Sequence, residues 1–153
     1  MNARDAVTAL ILETFRLNGR LLAAGDTLTA DLGLTSARWQ VMGAMALSSV
    51  PLPVAHIARI MGLTRQAVQR LVNELQRDRL VGFEPNPHHR RAKLVVLTDR
   101  GTASYDAAMR RQGPWARALA HGLSTEQIEQ AAATLRAIRQ RLEAKGERGG
   151  SDG

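Results

Sequence analysis

Residues 54–75 read VAHIARIMGLTRQAVQRLVNEL, and two short amphipathic helices meet in them at Met61-Gly62-Leu63. Ile57, Ala58 and Met61 make one apolar face; Val68, Leu71, Val72 and Leu75 make the next, at helical spacing. Gly62 is the residue type that most readily takes positive φ, which ends one helix and redirects the chain. Thr64 stands where an N-cap hydroxyl would accept from the free amides of the second helix. Ala58 is small enough for two helices to cross closely. The pattern predicts a helix-turn-helix, with the outer face of its second helix as a DNA-reading surface.

That outer face can be mapped at 100° per residue. Opposite the apolar set lie Gln66, Arg70, Asn73 and Arg77, with Arg65 and Gln69 on the flank. Arginine can bond guanine bidentately, and asparagine or glutamine can do the same with adenine. Polar residues face water on any amphipathic helix, so it is the choice of amides and arginines, with the turn chemistry and the next segment, that favours DNA.

The next segment, LVGFEPNPHHRRAKLVVLT (80–98), begins with alternating Val81 and Phe83 and ends in a β-branched run at 93–97. Pro85-Asn86-Pro87 forbids helix and favours turn or extended geometry. Strand, basic loop and strand after a helix-turn-helix make a winged helix. Its loop carries His88, His89, Arg90 and Arg91, with Lys93 just beyond, a charge suited to phosphates and to the electronegative minor groove.

Between His56 and Arg100 there are nine Lys/Arg against four acids, so +5 of the net +7 falls in under a third of the 153 residues. That concentration points to nucleic acid rather than to solubility alone. There is no cysteine, which excludes disulfides, thiolate metal sites and thiol redox sensing. No apolar run of about 18 residues is present, and MNARDAVTALILETF lacks a signal-peptide layout. A soluble cytoplasmic protein without a membrane partner is the expectation.

The flanks point to self-association. A helix is predicted over 6–24, with Val7, Leu10, Ile11, Leu17, Leu21 and Leu22 near heptad spacing. Thr98 is placed to cap a long helix from Asp99 to about His121, which Gly113-Pro114 is expected to kink or break. Ser124 and Gln127 have capping-box spacing, and Ile128, Ala131, Leu135, Ile138 and Leu142 then repeat as a packing seam. Such a seam serves intrachain packing equally well. Residues 146–153 read as a flexible tail.

From Leu34 to Gly101 the chain resembles the MarR family of bacterial transcription regulators. The matching elements are LTSARWQVMGAM, IARIMGLTRQAVQRLVNEL and NPHHRRAKLVVLTDRG. In that family an acid commonly braces one of the wing arginines; here Arg90 and Arg91 match the arginines, while His89 stands where the acid is common. The resemblance implies Arg91 as the minor-groove residue and Arg90 as a phosphate contact. It also implies a two-fold homodimer built by the terminal helices. It further implies a small, often aromatic or phenolic effector between those helices and the winged region. Phe15, Arg16, Arg20, Trp39, Met42 and Tyr105 lie on segments that would line such a cleft, with the arginine pair suited to a carboxylate. Equally, Trp39 and Met42 suit a core, and the arginines a surface.

Together these features predict a mainly α chain with a small β-hairpin wing: a dimerisation helix in 1–30, a winged helix-turn-helix in 31–100 and dimerisation helices in 101–145. The expected function is a sequence-specific repressor acting as a homodimer on double-stranded, pseudo-palindromic operator DNA and released by a small effector. Its contacts would come from Thr64, Arg65, Gln66, Gln69, Arg70, Asn73, Arg90, Arg91 and Lys93. The alternative is an architectural protein that coats DNA without sequence choice. His88-His89 lacks a third ligand for a metal. No catalytic triad, carboxylate pair or phosphate loop can be assembled, so neither an enzyme nor a cofactor is expected.

Overall fold

The periodicities along 54–75 fold as two helices set against a third. In the computed structural model, which describes residues 1–149, α1 (Ala3–Thr29) passes through a 3-10 turn at Ala30–Leu32 to α2 (Ser36–Ala46). β1 (Leu52–Pro53) runs straight into α3 (Val54–Met61) and α4 (Arg65–Arg77). β2 (Val81–Glu84), β3 (Leu94–Leu97), α5 (Asp99–Leu119) and α6 (Thr125–Gly149) follow. The chain divides into two compact units, Met1–Gln112 and Gly113–Gly153.

Local chemistry explains the junctions of the first unit. Gly62 takes φ 66°, and its N–H closes α3. The Thr64 hydroxyl accepts from the Ala67 N–H at 3.1 Å and starts α4. α4 ends less predictably, because the left-handed position after it is filled by Arg79 (φ 59°) where glycine would be unstrained. Thr98 accepts from the Gly101 N–H at 3.0 Å at the start of α5, and donates its own hydroxyl hydrogen to the Arg79 carbonyl at 2.7 Å. That second bond ties the end of β3 to the end of α4.

Ile57, Ala58, Val68, Leu71, Val72 and Leu75 are all buried, joined by Val41, Met42 and Met45 of α2 and by Leu80, Val81 and Val95. Burying a side chain of this size contributes about 1.5–3 kcal/mol, so α2, α3 and α4 are held chiefly by this one core. The wing sheet has order β1-β3-β2, all antiparallel, with Phe83 opposite Val95 and Leu52 opposite Val95 on the other side. The hairpin expected from the sequence is thus a three-stranded sheet. β1 is two residues long and contains Pro53, so it carries no strand signal; a proline is tolerated there because β1 is an edge.

α1 docks on α2 by its C-terminal end. Gly25 and Thr29 are buried, the Ser36 hydroxyl donates to the Leu22 carbonyl at 2.7 Å, and the Ser36 N–H donates to Asp26 at 2.7 Å. A Cβ at Gly25 would lie 2.1 Å from the Ser36 hydroxyl oxygen, so any side chain there would push that hydroxyl off its bond to Leu22. The same face continues along α1 as Val7, Ile11, Phe15 and Leu22, all exposed, with Phe15 at 70%. α1 begins and ends beyond the 6–24 expected; at its start the Asn2 side chain caps it by accepting from the Asp5 N–H. Arg111 of α5 reaches back to α1, donating to the Leu28 carbonyl at 3.0 Å and bidentately to Asp31. That guanidinium holds the Asp31 carboxyl below its ordinary value.

Of the kink or break expected at Gly113-Pro114, the break is absent: α5 runs on through the pair to Leu119. Proline deletes one helix bond, which the bonds on either side of it carry. The unit boundary nonetheless falls at that pair. In the second unit Ser124 and Gln127 form the reciprocal capping box, at 2.9 and 3.1 Å. α6 then exposes Ile128, Leu135 and Leu142 at seven-residue spacing. Residues 146–149, expected to begin a flexible tail, continue α6, while 150–153 lie outside the described residues.

Candidate nucleic-acid interface

Because α4 buries Val68, Leu71, Val72 and Leu75, its polar side is left open: Arg65, Gln66, Gln69, Arg70, Asn73 and Arg77 are all exposed. The wing and the start of α3 stand along one flank of that side. Between them lies an open concavity of about 640 Å³. Arg65, Gln66, Gln69, Asn73 and Gln76 line it from α4, and Arg91 and Lys93 from the wing, over a floor that includes Phe83. The lining holds three cationic side chains and no carboxylate.

The four carboxamides at 66, 69, 73 and 76 are spaced 3, 4 and 3, so they form one strip along α4. Gln69 Nε2 donates to Asn73 Oδ1 at 2.9 Å within that strip. Gln76 belongs to the strip although it is not among the contacts expected from the sequence; its place one turn beyond Asn73 is the signal that marks it. Arg70 and Arg77, which a helical wheel puts opposite the core, lie outside the concavity, as does Arg90. Thr64 is exposed, and its hydroxyl already serves the helix cap.

Arg38 of α2 fixes the other side of α4. Its guanidinium meets Glu74 at 3.2 Å, Asp78 at 3.1 Å and the Gly33 carbonyl at 3.2 Å. Two of the four acids in the 56–100 stretch are thereby paired with a cation from outside it. In the wing loop, Asn86 donates to the Ala92 carbonyl at 2.9 Å and accepts from the His88 N–H at 3.0 Å. Neither Arg90 nor Arg91 is in an ion pair among the described residues. With His89 in the place of an acid, the loop is braced by Asn86 instead.

Among the described residues, those considered for an effector fall in two places. Arg16 and Arg20 line a shallow groove of α1 with Glu13 and Leu17, and Arg16 is 3.6 Å from Glu13. Met42 is fully buried in the core, while Trp39 and Tyr105 pack half-buried against it, Tyr105 lying over Gly43. The described residues contain no cluster of metal-binding side chains and no helix long and apolar enough to cross a membrane.

Comparison with known proteins bears on the same region. A MarR family model matches residues 32–92, which span α2 to the wing loop. An uncharacterized protein of Mycobacterium tuberculosis is 36% identical over 107 residues, 70% of this chain and 73% of the relative. The transcriptional activatory protein BadR of Rhodopseudomonas palustris is 29% identical over 106 residues, 65% of this chain and 61% of BadR. The crystal structure of CouR from Rhodococcus jostii RHA1 bound to p-coumaroyl-CoA superposes with a TM-score of 0.73 at 26% identity, covering 80% of this chain and 86% of that one. With a reading helix and a basic wing arranged around one acid-free concavity, and with these matches across it, the chain belongs to the MarR family of DNA-binding transcription regulators.

Proposed function

We propose that the chain is a cytoplasmic, homodimeric, sequence-specific repressor that binds a pseudo-palindromic operator and is released by a small ligand. The observation that carries this reading is the concavity in which α4 amides face wing cations. With α4 in a major groove and the wing toward the neighbouring minor groove, the concavity would take the rim of the major groove, with base edges against the α4 amides and the phosphate strand on the wing side. Arg65 and Lys93 would neutralise that strand, Arg91 would reach on toward the minor groove, Arg90 would meet a phosphate and Arg70 would add contacts outside the concavity, and Thr64 would hold the start of α4 in place. A coating protein without sequence choice would need no carboxamide strip, which favours the operator reading.

Dimerisation is supported by α1, whose face is buried against α2 at Gly25 and Thr29 but open from Val7 to Leu22. A second copy is the natural cover for that face and for the apolar stripe of α6. On this reading residues 1–30 and 101–145 serve dimerisation and 31–100 bind DNA. The two reading helices would then meet major grooves about 34 Å apart. Sedimentation together with footprinting tests this: a dimer should protect roughly two helical turns symmetrically. Tight binding of a monomer to a single half-site would refute it. For the effector, CouR, solved with p-coumaroyl-CoA, is the support by similarity. An anionic group would meet Arg16 and Arg20, while Trp39 and Tyr105 would report its aromatic part. Titration of aromatic carboxylates, followed by operator release, tests that part. The sign of regulation is read in a reporter strain, where removing the protein should raise transcription from the operator-linked gene.

A further inference from the structure

We infer that Gln69 and Asn73 form a single reading unit, in which Asn73 orients Gln69 and each operator half-site presents adenine to it. This rests on the operator-binding reading above and goes beyond it by naming a base and dividing the labour between two residues. A free glutamine carboxamide can rotate by half a turn and exchange its oxygen for its nitrogen, so by itself it selects poorly among base edges. Here Gln69 Nε2 donates to Asn73 Oδ1 at 2.9 Å, across one helical turn. Both side chains are exposed and both line the concavity facing the wing.

In that arrangement one of the two Nε2 hydrogens is taken up by Asn73. What remains on Gln69 is one N–H donor beside one carbonyl acceptor. Adenine offers the complement in the major groove, with N7 accepting and N6 donating. Guanine offers two acceptors at the same place and would leave the Gln69 oxygen facing an oxygen. Asn73, with Oδ1 turned toward Gln69, keeps its Nδ2 hydrogens for a neighbouring acceptor and does not itself make the paired adenine contact.

The test is selection of random double-stranded DNA by the full-length protein and by Gln69→Ala, Asn73→Ala and Asn73→Asp. These positions are exposed, so the fold is expected to survive. The wild-type half-site should carry an adenine that Gln69→Ala erases. Asn73→Ala should lower selectivity at that same position about tenfold, because the amide is freed to turn. Asn73→Asp keeps the accepting oxygen, so adenine selectivity should persist there even though the added charge weakens binding overall. The inference is overturned if Gln69→Ala erases a base other than adenine, or if Asn73→Ala leaves the Gln69 position unchanged and alters a different one. It is likewise overturned if Asn73→Asp loses the adenine as fully as Asn73→Ala. A wild-type selection that enriches no motif over competitor DNA would instead overturn the operator reading on which the inference rests.

Discussion

Replacing Gly101 with alanine should be among the most damaging single-methyl additions in this protein. A Cβ there would lie 1.9 Å from the Leu80 carbonyl oxygen, where real Cβ contacts essentially never come under 3.0 Å. The neighbour is backbone and cannot turn aside, so the start of α5 must move away from the α4–β2 junction by about 1 Å in an interior without spare room. Two bonds span that gap: the Thr98 N–H to the Leu80 carbonyl at 3.1 Å, and the Thr98 hydroxyl to the Arg79 carbonyl at 2.7 Å. Weakening both costs about 1 kcal/mol each, and overpacking strain adds roughly 1–3 kcal/mol. The expected loss is thus on the order of 3–5 kcal/mol, or about 10 °C in Tm for a chain of this size. Urea unfolding at fixed protein concentration measures it, with Gly82→Ala as the control. Gly82 lies in β2 with nothing within 4 Å of its added Cβ, and that change should stay within about 1 kcal/mol of wild type. Equal stability of the two variants would refute the claim that close backbone approach, rather than glycine's flexibility, is what position 101 requires.

Four further outcomes are expected. Arg90→Ala and Arg91→Ala should each weaken binding to all DNA and lower the salt slope by about 0.9 for each phosphate no longer neutralised. Gln66→Ala should cost about 1–3 kcal/mol on the operator and little on random DNA; anisotropy titrations at several salt concentrations separate the two behaviours. Arg38→Ala leaves Glu74 and Asp78 without their cation, and should lower stability by roughly 1–2 kcal/mol after allowance for solvent screening. It should also weaken operator binding although Arg38 does not line the concavity, which a double-mutant cycle with Glu74→Gln would trace to the pair. Finally, the folded Asp31 carboxyl sits below the ordinary carboxylate value because of Arg111. The pair's stabilisation is therefore complete above the unfolded value and fades as pH falls through the lower folded one. In acid titrations followed by circular dichroism, Asp31→Asn should flatten the stability curve below about pH 4 and leave its shape near neutrality unchanged.

Residues 54–75 are legible in the sequence because their signals are local. Gly62 turns a chain through its own φ, and Thr64, Thr98 and Ser124 cap helices through amides three residues away. Val68, Leu71, Val72 and Leu75 declare a buried face by spacing alone. The wing strands are legible for the same reason, as β-branched runs on either side of a proline-bracketed turn. Other features leave no such mark. Which part of α4's open side faces the wing depends on where the wing and the start of α3 stand, so a helical wheel groups Gln66 and Asn73 with Arg70 and Arg77 while the concavity groups them with Gln69 and Gln76. β1 is defined by its partner in β3, not by its two residues.

By itself, then, the amino-acid order determined the helix-turn-helix, the wing, the caps and the basic charge around them, since each rests on bonds or periodicities spanning a few residues. Only the tertiary structure decided that Arg38 would clamp residues 36 and 40 positions away, that Arg111 would reach Asp31 across 80, and that Gly25 and Gly101 would be points of closest approach. Such contacts are chosen when helices already formed pack into one core, and the chain between the partners carries no period that announces them.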